Sequence, residues 1–546
     1  MSRTEACAGD LARRLEPIFA PYDTPGAPGV TVGVRLGGET FRRGYGLQSL
    51  ESGLVNRPDV RVRIGSTTKP FTCLALMLLA EAGAVDLDAD VRRWLPELSA
   101  GIEPVTARRL MNHTAGVRCH MDLWSLTTGM SARWPDSEPF DLMTRLTSRN
   151  FRPGTRVVYS NGGYVLLSRL AERVSGTPFD HLLRERIFIP CGLHDTELLR
   201  RDGDLRPRMA GLHVPSGDGW RRGCLSIPLE GEGGLISTVD DLLDWAGQLS
   251  APRVGSPALW RAMSARTPLE ASTPGAEGLS DYGLGLIMRR HRGLDTLGHA
   301  GAVLGARCEL LTVPDHDLDL VILANRSDIG LRDLAHRVVD ALLGPVIEPP
   351  PVRASAADVA PYEGVYVDAS TGQFLSLSGE AGGAVVDFGS AKAPLTLGEN
   401  GLAFAGALGD MAFRLPEVDG GAGAGLTVVE CGVARAFQRL TPLAATSWPP
   451  AGRYGADDLP AEAVLDVAED GARLTVQTPF GRVEYRVSPL SQGRWRIEEE
   501  KDGAGGWSLL ELGQAHGRPV LWLSTLRTWR LEFQAKADVG PASCGP

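Results

Sequence analysis

Lysine is nearly missing from this 546-residue chain: Lys69, Lys392, Lys501 and Lys536 are the only four among 56 basic residues. Long apolar runs are missing too. No stretch offers the ~18 uninterrupted apolar residues that a membrane helix needs, and the first residues lack the apolar core of a secretory leader. A cytoplasmic protein with no membrane partner is the expectation. There is no excess of positive charge: 56 basic against 66 acidic residues leave a net charge of -10. That balance excludes nucleic acid or an anionic membrane as a partner held by bulk charge. The eight cysteines are scattered without a Cys-x-x-Cys pair, so neither a disulfide framework nor a zinc site is signalled. No metal and no cofactor is expected.

What is present is ordinary for a folded protein, with 43% hydrophobic and 22% charged residues. The length exceeds what one hydrophobic core serves, which predicts several domains. Early on, Gly29 to Leu36 and Glu39 to Tyr45 read as two strands of a hairpin around Gly37-Gly38, preceded by a helix from about Asp10 to Phe19. Helical periods follow at Leu74 to Ala82, Ala107 to Met111, Leu142 to Thr147 and Tyr164 to Val174. Strand patterns return at Leu284 to Arg289, Cys308 to Val313 and Leu318 to Asn325, before a helix at Leu331 to Leu343. Strands at both ends of a helical middle predict an α+β domain whose antiparallel sheet joins early and late segments.

The helical period stops at Gly344-Pro345 and at Pro349-Pro350-Pro351. Beyond it the chain is rich in strands, and Tyr362 to Tyr366 and Ala451 to Tyr454 open two stretches that resemble each other weakly. The expected boundaries are therefore 1–345 for the α+β domain, then 346–447 and 448–546 for two small antiparallel β-barrels.

Chemistry concentrates at Ser66-Thr67-Thr68-Lys69. At this spacing on a helix the two side chains share a face, with Cβ atoms about 5–6 Å apart. A serine is inert near neutral pH until a base takes its proton, and a lysine can be that base once burial or nearby charge lowers its pKa. Pro70 fits only at the start of such a helix. Two further patterns stand out. Tyr159-Ser160-Asn161 sits at a turn before a helix, where a phenol and an amide project together, and His299-Ala300-Gly301 precedes a strand with glycine leaving room for a ligand. His113, between Asn112 and Thr114, reads as a hydrogen-bonded structural residue at a helix end.

In that order, Ser66-x-x-Lys69, Tyr159-x-Asn161 and His299-x-Gly301 resemble the three signatures of the serine β-lactamase and penicillin-binding-protein superfamily, class C type. The resemblance covers about residues 15 to 345 and is joined by Leu110 to Gly116 and Gly233 to Asp241. With its proline-rich linker and two strand-rich parts, the whole chain is most similar to the three-domain bacterial D-aminopeptidases. The resemblance implies a β-lactamase/transpeptidase-like fold with Ser66 as nucleophile and Lys69 and Tyr159 sharing the base and acid roles. It implies Asn161 as an orienting group, the N–H groups of Ser66 and Ala302 as an oxyanion hole, and His299 and Gly301 along the opposite wall. It also implies a homodimer.

A neutral imidazole at position 299 supplies a hydrogen bond where a lysine would supply a fixed charge, so a penicillin-like carboxylate would be held less well. The balance moves toward aminopeptidase, amidase or esterase action on a small peptide, amide or ester. An aminopeptidase also needs an anion for the substrate's ammonium group. Glu232, flanked by glycines, is one candidate, and the acidic turn Glu498, Glu499, Glu500 and Asp502 is the other, because in the D-aminopeptidases a last-domain loop reaches the active site. The resulting expectation is a D-stereospecific aminopeptidase or amidase. The alternatives are an esterase or β-lactamase-like hydrolase, a penicillin-binding-protein-type peptide cyclase or thioesterase, and a non-enzymatic sensor that β-lactams acylate.

Overall fold

The computed structural model describes residues 3–99, 104–129, 139–225, 227–270, 278–398, 401–405, 410–415, 425–442, 448–468, 471–500, 506–515 and 517–536. A six-stranded antiparallel sheet forms its first part. The strands are β1 (Val30–Leu36), β2 (Glu39–Tyr45), β3 (Ile287–His291), β4 (Leu294–Val303), β5 (Ala306–Val313) and β6 (Leu318–Ala324), in the order β3-β4-β5-β6-β1-β2. Early and late segments meet where β1 pairs with β6, Val30 opposite Ala324 and Leu36 opposite Leu318.

Side-chain alternation explains why this sheet is covered on both faces. Along β6, Leu318, Leu320 and Ile322 join the cluster that contains Leu15 of helix α1 (Arg3–Phe19) and Val338 of helix α5 (Leu331–Leu343). Val321 and Leu323 face the opposite cluster, built on helices α2 (Lys69–Glu81) and α4 (Asn161–Ser175). The period of two along a strand produces this division. Between α2 and α4 in the chain lies the short helix α3 (His120–Thr128).

Two local features differ from the sequence expectation. Helix α2 begins at Lys69, five residues before the apolar period becomes visible at Leu74, because Pro70 at its first turn needs no N–H partner. The stretch around His299 does not precede a strand; it lies inside β4. Glycines at 298 and 301 conceal the strand in the sequence because they break the apolar alternation.

After α5, nine strands between Gly364 and Arg439 form one antiparallel sheet. Its two edge strands, Lys392–Pro394 and Thr396–Gly398, are separated by Leu395 alone, so the sheet curls until its edges nearly meet. The last part, from Gly452 to Ala535, is a closed eight-stranded barrel in which the first strand pairs with the last. This terminal barrel sits on the helical layer. Tyr485 Oη donates to Leu126 O of α3 at 2.9 Å, and Arg118 Nη1 donates to Trp529 O at 2.6 Å.

Candidate active site

Ser66 lies in a 3-10 turn, Gly65–Thr68, that runs directly into α2. The turn is pressed against β4. A Cβ on Gly65, whose φ is +51°, would stand 2.7 Å from Ala302 N, and a Cβ on Gly301 would stand 1.8 Å from Ile64 O and 3.0 Å from Ser66 N. Glycine at both positions is therefore what lets the backbones of Ser66 and Ala302 lie side by side.

Lys69 is fully buried. Its Nζ reaches Ser66 Oγ at 3.1 Å, Asn161 Oδ1 at 2.8 Å and Glu232 O at 2.6 Å. Burial pushes the ammonium far below the usual lysine range; the Glu232 carboxyl opposes that shift and the Arg527 charge adds to it. In the neutral amine, two N–H bonds go to the acceptor-only oxygens of Asn161 and Glu232, which leaves the lone pair for the hydroxyl proton of Ser66. That is the arrangement a base requires.

Asn161 and Tyr159 flank Ser160, which caps α4 by accepting from Gly163 N at 3.3 Å. The Ser160 N–H donates to His113 Nδ1 at 3.2 Å, and the His113 ring packs against Tyr159 with centroids 4.2 Å apart. The Tyr159 phenol is hydrogen-bonded to Ser66. Burial raises its pKa, while the bond to Ser66 and the charge of Arg527 oppose the rise, so it stays protonated at neutral pH. Lys69 Nζ lies 4.7 Å from the centre of the same ring.

His299 is buried and spends both ring nitrogens on the protein: Nδ1–H donates to Ala300 O at 2.6 Å, and Nε2 accepts from Tyr282 Oη at 2.9 Å. Burial first and the Lys69 charge second lower its pKa to about 3, so the ring is neutral. Its surroundings leave it no nitrogen to offer a substrate.

The acidic candidates do not gather at this cluster. Glu232 contributes its backbone carbonyl to Lys69, while its carboxyl group is 1% exposed and Oε2 turns back to accept from Glu230 N at 3.2 Å. Burial raises the Glu232 pKa. A flank of glycines suggested a carboxylate open to the cleft; in the fold those glycines instead bend the loop so that its carbonyl faces inward. Glu498 pairs with Arg496 at 2.6 Å and Glu500 with Arg473 at 3.0 Å, both within the terminal barrel. Glu499 Oε1 lies beside Gly129, at the end of α3 remote from Asn161. Asp502 lies outside the described residues.

A different part of the barrel reaches Tyr159. The turn Thr525 to Arg530 brings Arg527 within 5.1 Å of the Tyr159 ring centre. No pattern in the sequence marks this residue in a chain so rich in arginine, and its position is set by contacts with residues some 380 to 400 positions upstream. Tyr282 and His113 were likewise not assigned to the site from sequence, since both act by packing and hydrogen bonding behind Tyr159 and His299. Among the described residues, no group of three or more His, Cys, Asp or Glu gathers to hold a metal ion, and no helix is long and apolar enough to cross a membrane.

A family model described as Beta-lactamase matches residues 15–343. The chain belongs to the β-lactamase family. This β-lactamase-family chain is 29% identical over 368 residues to a D-aminopeptidase of Brucella ovis, spanning 66% of this chain and 68% of the relative. The crystal structure of the D-amino acid amidase from Ochrobactrum anthropi SV3 superimposes with a TM-score of 0.53 at 25% identity, over 62% of this chain and 99% of the amidase. The octameric penicillin-binding protein homologue from Pyrococcus abyssi shares the fold over 96% of this chain and 99% of its own, with a TM-score of 0.54 at 18% identity. Membership in the family places the chain among the serine hydrolases.

Proposed function

We propose that this serine hydrolase works through an acyl-enzyme on Ser66 and acts as a D-stereospecific aminopeptidase or amidase on small peptides or amides. The observation that carries the chemistry is the buried Lys69 amine, 3.1 Å from Ser66 Oγ with its other two bonds fixed by Asn161 and Glu232 O. Lys69 takes the Ser66 proton as Oγ bonds to the substrate carbonyl carbon. The N–H groups of Ser66 and Ala302 hold the developing oxyanion. As the C–N bond breaks, Tyr159 gives its proton to the departing nitrogen, and the proton that Lys69 took from Ser66 passes to the phenolate. Water then enters by the reverse route and releases the acid.

The D-aminoacyl preference rests on the likeness to the D-aminopeptidase and the D-amino acid amidase. A panel of D- and L-aminoacyl p-nitroanilides beside simple p-nitrophenyl esters tests it. The expected outcome is a kcat/KM for the D-aminoacyl anilides at least about tenfold above that for their L forms. Cleavage of esters with no aminoacyl anilide cleaved identifies an esterase instead. The reading includes a homodimer, which light scattering tests by returning twice the mass of the chain rather than eight times.

A further inference from the structure

The terminal barrel delivers one arginine to the Tyr159 ring, and its surroundings show a built position. Thr525 Oγ1 accepts the N–H of Arg527 at 3.2 Å and of Thr528 at 3.0 Å, and donates to Asp122 Oδ2 of α3 at 2.7 Å. Asn150 grips the same turn twice: Nδ2 donates to Arg527 O at 2.8 Å, and Oδ1 accepts from Trp529 N at 2.9 Å. With the Arg118 bond to Trp529 O, the backbone on both sides of the arginine is tied to the α+β part.

The guanidinium itself is hydrogen-bonded to Cys119 and lies over the Tyr159 ring. Among the described residues no carboxylate forms an ion pair with it; the nearby Asp122, whose Oδ2 accepts from Thr525, helps through its charge to hold the guanidinium protonated against burial. Exposure separates the groups that a substrate meets from those that stand behind. Lys69, Asn161, Glu232 and His299 are buried, whereas Ser66, Tyr159 and Arg527 are half-buried and Ala302 is exposed. A substrate at Ser66 therefore faces a cation and no free carboxylate among these groups. In the proposed mechanism Tyr159 serves the departing nitrogen, and the Arg527 charge is held over its ring.

From this placement we infer that Arg527 is a carboxylate subsite, and that the preferred substrates are short peptides whose scissile bond is the last one, so that the departing amino acid carries a free α-carboxylate. The inference rests on the aminopeptidase reading for its acyl half and adds the leaving half. A planar guanidinium matches a carboxylate with two parallel hydrogen bonds, which a lysine or a neutral imidazole does not provide.

The test compares D-alanyl-glycine with its C-terminal amide, and each with its N-acetylated form, on the full-length enzyme. Wild type is expected to favour the acid over the amide by about tenfold or more in kcat/KM, chiefly through KM. Arg527→Gln is expected to collapse that ratio toward one, and Arg527→Lys to restore part of it. Calorimetric binding of the same ligands to Ser66→Ala protein reads the acid-to-amide ratio without turnover. Equal binding and turnover of acid and amide in wild type, or a ratio unchanged in Arg527→Gln, overturns the subsite. If the N-acetylated acid is cleaved as well as the free amine while the ratio stands, the aminopeptidase reading fails and the carboxylate subsite survives.

Discussion

Lys69→Met is expected to lower kcat/KM by on the order of 10³ to 10⁴-fold, the contribution of a positioned general base, with the fold intact by circular dichroism. Methionine fills nearly the same volume in a site that is fully closed to solvent, so the loss reads chemistry more than packing. Lys69→Arg sharpens the result. It keeps a positive charge and hydrogen-bond donors but cannot give up a proton, so it should lose as much as methionine does. If the arginine variant keeps most of the activity, Lys69 is an electrostatic anchor and not the base. The pH profile gives a second reading of the same residue. Burial depresses the Lys69 pKa, so the active, deprotonated form accumulates as pH rises through that lowered value. The acid limb of kcat/KM should accordingly fall near neutrality and not near the ordinary lysine value, and it should be absent in both variants.

Gly301→Ala is expected to cost about 10²-fold or more in kcat, together with a lower melting temperature. The added Cβ would stand 1.8 Å from Ile64 O, a backbone atom with no freedom to rotate away. Either β4 or the nucleophile turn must move by about an ångström, and a displacement of that size at reacting groups typically costs about 10²-fold. The same motion separates the Ser66 and Ala302 N–H groups to which the proposed mechanism assigns the oxyanion. A variant with near-normal kcat and an unchanged melting temperature would show that the two segments are not held together as the structure has them.

The parts of this site that the sequence reveals are those built from short-range spacing. Ser66 and Lys69 are three residues apart on one turn, and Tyr159 and Asn161 flank a capping serine, so local geometry alone brings each pair together. The antiparallel sheet is legible for the same reason, since the strand patterns at Gly29 to Leu36 and Leu318 to Asn325 are local signals that the structure places within a residue of Val30–Leu36 and Leu318–Ala324. Partners chosen by tertiary packing were not. Arg527 is one of many arginines, and nothing near it in the chain distinguishes it from those that pair at the surface. The acidic run at 498–500 falls where the D-aminopeptidase resemblance implies an active-site loop, yet Glu498 and Glu500 pair with arginines of their own barrel. Glu232 was singled out for its carboxylate, whereas its carbonyl is the atom that reaches Lys69.

That difference changes the electrostatic picture of the cleft. The sequence suggested that a neutral His299 removes the site's cation; the structure supplies one from the terminal barrel at Arg527. It also shows why His299 is neutral, since burial and then the nearby Lys69 charge both disfavour the imidazolium.

The claim on which the account depends is that Ser66 becomes acylated. Intact-mass spectrometry of enzyme quenched within milliseconds of mixing with a D-aminoacyl p-nitrophenyl ester tests it directly. The account predicts one acyl adduct per chain, mapped by peptide digestion to the segment containing Ser66 and missing from Ser66→Ala protein. Turnover of the ester with no adduct at Ser66, or an adduct that persists in Ser66→Ala, would contradict it.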